Sequence, residues 1–209
     1  MSLSSNKILK IYKSRKNILD LMKAQGYNTS DYEEFSINEI DAMVSNDQLD
    51  MLLQNTDSKQ KTYIKYYINS KNIRKENLDT LIEDLFILES VLTKSDTLIV
   101  IVNEEPNDTI VDRMKYLYDH DNIFVVMHNI DRLQFNILTH DLVPETTILN
   151  EDGVKELLEK YHLREKKLLP DMSRFDPLSL AVCLRPGQVC QFKRKSSTAM
   201  DYFYYRICT

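Results

Sequence analysis

Two short runs constrain this chain most: TLIVIV at residues 97–102 and IFVVM at 123–127. Each is unbroken, apolar and rich in β-branched residues. A strand that is apolar at every position has no face left for water. It must be covered on both sides, as parallel strands between helix layers are. Between the two runs, Ile110, Val111, Met114 and Leu117 recur at helical spacing, and Pro106 stands where a turn or a first helical residue is expected. Upstream, Leu78, Leu81, Ile82, Leu85, Phe86 and Leu88 make one apolar helix stripe, and TYIKYYI (62–68) reads as another strand. Helices alternating with strands predict a sheet covered by helices.

The chain before this region opens on a helix. Ile8, Ile11, Tyr12, Ile18, Leu19 and Met22 fall at three- and four-residue steps, the lysines lie largely on the other side, and Gly26 suits the C-terminal cap. Ser30…Glu33 and Ser36…Glu39 both fit a capping box, and the polar QNTDSKQK breaks the pattern that follows. A second module begins near Phe135. Asn150 caps a helix with Val154, Leu157, Leu158 and Tyr161 on its apolar face, and KYHLREKKLLP is a charged linker with an apolar anchor. Asp176-Pro177 opens a short helix. QVCQF and YFYYRI then read as the two strands of a hairpin, joined by a loop KRKSSTAMD. The expected fold class is α/β (α+β overall), with a helix-covered sheet domain at 1–135 and a small α/β domain at 136–209 that ends in a β-hairpin. Charge follows the same division: 16 basic and 22 acidic residues precede Leu138, against 11 and 10 from there on.

A net charge of -5 and a pI near 5.4 speak against a protein that binds nucleic acid alone, because phosphate neutralisation dominates such affinity. Three unpaired cysteines without a CxxC read as free thiols and give no structural zinc site. The N-terminus lacks the apolar core of a signal peptide, and no run reaches membrane-spanning length. With only 3 glycines, no glycine-rich phosphate cradle is available. No cofactor, metal or small-molecule substrate is therefore expected. Two alternatives stay open. Glu104, Glu105 and Asp108 follow a strand end, and Asp57-Ser58-Lys59 and Glu165-Lys166-Lys167 have D/E-x-K spacing, which a magnesium-dependent nuclease would use. A stand-alone DNA-binding regulator is the other.

The hairpin carries the most concentrated chemistry. Lys193, Arg194, Lys195, Ser196, Ser197 and Thr198 are phosphate-contact types, equally suited to an acidic or polar protein surface. Tyr202, Phe203, Tyr204 and Tyr205 alternate across a strand, so one pair is expected in the core and the other on a surface that a base or a protein partner covers. These residue types favour partner docking over catalysis.

The words LTHDLVPE (138–145), VKELLEKYHLRE (154–165), LLP (168–170), Asp176-Pro177, RPGQV (185–189), KRKSSTA and YFYYR carry a resemblance. The back module resembles the assembly domain of the RNA polymerase subunit called H in archaea, the fifth subunit shared by eukaryotic nuclear RNA polymerases. IYKSRKNILDLMKAQGY (11–27) resembles the start of the eukaryotic-type jaw domain. The resemblance implies a non-catalytic subunit whose C-terminal domain docks on the largest subunit among other polymerase subunits. Its N-terminal domain would form part of the lower jaw, meeting downstream DNA only within the assembled enzyme. It implies docking residues Asp176, Pro177, Arg185, Gly187, Gln188, Arg194, Ser196, Thr198, Tyr202 and Arg206, and a DNA-proximal loop at Glu105, Pro106, Asn107 and Asp108. Gly187 is expected to serve the tight turn into the strand. Arg194 and Arg206 are expected either to bond carboxylates and carbonyls of the partner or to pair internally. The family's Ala-Arg-Tyr-aromatic-Gly run is here Ser179 to Cys183, and its basic residue before the glycine is Pro186. These departures, with much Asn, Lys and Ile, fit a divergent eukaryote or a large DNA virus encoding its own polymerase. The location would then be the nucleus in the first case, a cytoplasmic viral factory or virion in the second.

Overall fold

The structure is a computed structural model that describes residues 5–68, 70, 73–195 and 200–209. The chain forms two compact units, Met1–Asn136 and Ile137–Thr209.

The first unit is built on a mixed sheet. Its strands are β1 (Tyr27–Asn28), β2 (Met51–Asn55), β3 (Lys61–Tyr67), β4 (Thr97–Val102) and β5 (Phe124–Asn129), in that spatial order. The β1, β2 and β3 pairs are antiparallel, while β3, β4 and β5 run parallel. Both unbroken apolar runs are thus parallel strands, and every residue of β4 is buried. Met51, Ile64, Ile99 and Val126 stand in register across four strands and are all buried.

Helix α1 (Ser5–Ala24) lies on the β3 face that carries Tyr66, whose hydroxyl is 3.4 Å from that of Ser14. Helix α3 (Lys75–Ile82) lies on the opposite face, where Asn77 donates to the Tyr67 hydroxyl at 2.6 Å. Helix α4 (Asp108–Tyr116) is joined to α3 by an Arg113–Asp79 ion pair at 2.7 Å. A helix α2 (Ile37–Ser45) opens on the Ser36 capping box, with both reciprocal bonds formed.

Three expectations need correction, and two strands went unread. The first capping box does not form: residues 30–32 make a single tight turn, and the Glu33 carboxylate is taken by the Thr29 hydroxyl and by Lys23. β1 and β2 carry too little local signal to be read from sequence. QNTDSKQK, read as a break, holds the end of β2 and a hairpin turn. The Asn55 side chain accepts from the amides of Asp57 and Ser58 there, and Lys59 is left-handed at φ 58°. Finally, Leu88 leaves the buried stripe. Beyond Ile82 the helix widens into a π-turn, Glu83–Leu88, and the extra residue per turn rotates Ile87 and Leu88 outward.

The second unit is a four-stranded sheet of order β6-β8-β9-β7. It comprises β6 (Glu145–Ile148), β7 (Asp171–Met172), β8 (Val189–Lys195) and β9 (Asp201–Cys208), with α5 (Glu151–Lys160) and the short α6 (Pro177–Ala181). Both faces are covered. On one face Cys190, Phe192 and Cys208 pack with Val182 and Leu184 beside α6. On the other, Val189 and Ile207 pack with Leu157 of α5 and with Leu169, the apolar anchor of the linker. No helix among the described residues is long and apolar enough to cross a membrane.

Candidate functional site

The turn that feeds β8 is built locally. The Gln188 amide donates to the Arg185 carbonyl at 3.0 Å, with Pro186 second and Gly187 third at φ 85°. That is the type II arrangement, in which proline presets the first central residue and glycine takes the left-handed second. The Gln188 side chain accepts from the Arg185 amide at 2.8 Å, and the Gly187 amide reaches the Cys208 carbonyl at 2.9 Å. Lys166 donates to the Gly187 carbonyl at 2.8 Å. Glu165-Lys166-Lys167 therefore includes a latch on the turn, a contact that links residues too distant in sequence for spacing to reveal.

Asp176 caps α6, accepting from the Leu178 amide at 2.9 Å, with Pro177 as the first helical residue. Arg206 donates to the Asp171 carbonyl at 2.8 Å, tying β9 to β7. Its bond is internal and to a backbone carbonyl, not a carboxylate.

Lys193, Arg194 and Lys195 lie in β8, not in the loop. Pairing continues through Arg194↔Tyr202 to Lys195↔Asp201, so the hairpin reaches further than its apolar runs suggest. Lys193 approaches Asp201 at 3.4 Å. Ser196 and Thr198, with Ser197 and Ala199, lie outside the described residues. The aromatic run alternates between the two faces of β9, but its burial changes along the strand rather than between faces. Phe192, Tyr204 and Tyr202 form a ladder of stacked rings on one face, at centroid spacings of 4.8 and 6.2 Å. Tyr205 meets Tyr161 edge-on at 5.9 Å on the other. The inner ring on each face is part-buried. The outer ones, Tyr202 and Phe203, are 56% and 40% exposed, and Met200 beyond them is 90% exposed. The hairpin is anchored at its base and apolar, aromatic and basic at its far end.

Reactive groups are quiet in this unit. Burial pushes the Cys190 thiol up to about 12 and Cys208 to about 11, so both stay protonated near neutrality. In the first unit, the loop after β4 is held by an ion pair and a helix cap. Glu105 pairs with Arg132 at 2.8 Å, and Asn107 caps α4 by accepting from the Ile110 amide at 3.0 Å. Asp108 is the first residue of α4, with Pro106 in the turn before it. Asp57 and Lys59 sit in the β2–β3 turn. No group of three or more His, Cys, Asp or Glu among the described residues is disposed to hold a metal ion.

The second unit is thus a sheet covered on both faces, with a two-stranded arm prolonged beyond its core. Residues 135–208 match the family described as RNA polymerase Rpb5, C-terminal domain. The chain is 46% identical over 74 residues to DNA-directed RNA polymerase subunit Rpo5 of Thermococcus onnurineus, covering 35% of this chain and 89% of that protein. It is 47% identical over 74 residues to the Thermococcus kodakarensis Rpo5, with the same shares covered. For the Methanococcoides burtonii Rpo5 the figure is 38% over 73 residues, covering 35% of this chain and 92% of that one. This chain belongs to the Rpb5/Rpo5 family of DNA-directed RNA polymerase subunits. These relatives are polymerase subunits, and they lend nothing to the nuclease or stand-alone regulator readings.

Proposed function

We propose that the chain is a non-catalytic subunit of a DNA-directed RNA polymerase, with no catalytic residues of its own. Its C-terminal unit docks on the largest subunit. Its N-terminal unit forms part of the lower jaw, near downstream DNA only in the assembled enzyme, and the protein acts wherever that polymerase acts. The observation that carries this reading is the likeness of residues 135–208 to relatives covered over nearly their whole length.

The hairpin supports it. A strand pair that continues past its core leaves the apolar surface of Met200, Tyr202 and Phe203 in water, at a cost that a partner surface removes. The docking residues divide by role. Asp176, Pro177, Gly187, Gln188 and Arg206 shape the surface from within, through the cap, the turn and the β7–β9 tie. Arg194, Tyr202 and Arg185, with Ser196 and Thr198, supply its contacts. After β4, an acidic loop at Glu105 to Asp108, with Glu105 paired to Arg132, fits a jaw that stands near DNA without gripping phosphate.

Cross-linking mass spectrometry on the isolated polymerase tests this directly. Lys193 and Lys195 are expected to cross-link to the largest subunit, and Tyr202→Asp to abolish those cross-links. Cross-links from these lysines to other subunits alone would refute the docking assignment. The isolated chain is expected to bind duplex DNA negligibly at physiological salt; salt-dependent micromolar affinity would refute the dependent-jaw reading.

A further inference from the structure

Helices α3 and α4 end in the same unusual way. α3 runs into the π-turn Glu83–Leu88, and α4 into a second, Leu117–Asp121. Each is followed by a non-glycine residue in the left-handed region, Ser90 at φ 51° and Asn122 at φ 56°. π-turns are rare and frequent at functional sites, and the left-handed region is uncommon for residues other than glycine. Both π-turns line one groove of about 760 Å³. Buried Ile82, Leu92, Leu117 and Ile123 reach it from below, and Phe86 and Ile87 form a wall. Ile87 is 68% exposed and its neighbour Leu88 69%, so the apolar surface continues beyond the groove. Arg113, paired with Asp79, neutralises one part of the lining. The charges left in the lining are Glu83, Asp121 and Lys94, a net negative rim.

We propose that this groove docks a short amphipathic segment of another polypeptide. Two or three apolar side chains seat against Phe86, Ile87 and Leu117, and lysine or arginine residues lie beside Glu83 and Asp121. Charge complementarity selects the occupant: an acidic rim around an apolar floor disfavours an acidic segment and steers a basic one. The spill of apolar surface over Ile87 and Leu88 fits an elongated segment lying along a helix, as in helix-in-groove recognition. The proposal is independent of the polymerase assignment, since the groove lies outside the family-matched residues.

The test is fluorescence anisotropy of the full chain with two labelled amphipathic helical peptides, one of leucine and lysine, one of leucine and glutamate. The lysine peptide is expected to bind and the glutamate peptide not. Ile87→Asp should weaken lysine-peptide binding about tenfold or more. Electrostatics alone predicts the opposite, because that substitution adds negative charge. Lys94→Glu should tighten binding, and it carries the test if Ile87→Asp fails to fold by circular dichroism. Equal binding of both peptides, no binding of either, undiminished binding to folded Ile87→Asp, or no gain in Lys94→Glu would overturn the proposal.

Discussion

Single residues fix the turns and seams on which the rest depends. Gly187 is left-handed inside a turn joined from three sides, by Arg185, Lys166 and Cys208. A Cβ there would stand 3.7 Å from Lys166, an ordinary contact, so the cost of a side chain is conformational. Gly187→Ala is expected to lower stability by about 1 kcal/mol, seen as a lower urea midpoint with unchanged slope. Buried Asp96 accepts from the Lys61 and Thr93 amides at 2.7 Å each, pinning the starts of β3 and β4. Asp96→Ala should cost about 3 kcal/mol, because two amides lose a charged acceptor at once; thermal unfolding would report it, and a loss under 1 kcal/mol would contradict this role. Residues of these two kinds differ in legibility. Asp176-Pro177, Ser36…Glu39 and Pro186-Gly187 declare their jobs in sequence, since cap and turn bonds span three or four residues. Asp96, Lys166 and Arg206 act on distant backbone, so only the folded chain shows what they hold.

Elements show where periodicity informs and where it stops. The parallel strands β4 and β5 were legible because full burial leaves an unbroken apolar run. The short strands β1 and β2 leave no such trace, and β2 declares itself only through its pairing with β3. Neither π-turn was legible either, since an apolar stripe at helical spacing assumes a constant turn. In the hairpin, alternation put the aromatic residues on the correct two faces. It did not show that burial fades along the arm. That gradient separates two substitutions of the same residue type. Tyr204→Ala, removing a ring stacked on Phe192, should cost about 2–3 kcal/mol in a chemical melt. Tyr202→Ala should change stability by under about 0.5 kcal/mol yet weaken association with polymerase. Equal stability losses from both would contradict the picture of an anchored base and a free end.

For the whole molecule, buried weak acids set the alkaline limit. Burial raises Cys190 to about 12 and Cys208 to about 11 from an ordinary 9.0, and Tyr66 to about 12 from 10.0. Unfolded, these groups release their protons first, so above about pH 9 the unfolded chain holds fewer protons than the native one. Their contribution is complete below that pH and is lost as pH rises toward about 12. Urea midpoints should therefore fall between about pH 8 and pH 10.5; a flat profile would contradict burial of these groups. The two units were expected to serve one assembly, and the central claim is that the C-terminal unit is held by a polymerase. Purification from native lysate through a tag on this chain, read by mass spectrometry, tests it most directly. The large polymerase subunits are expected at stoichiometric yield. Recovery of the chain without them would contradict the account.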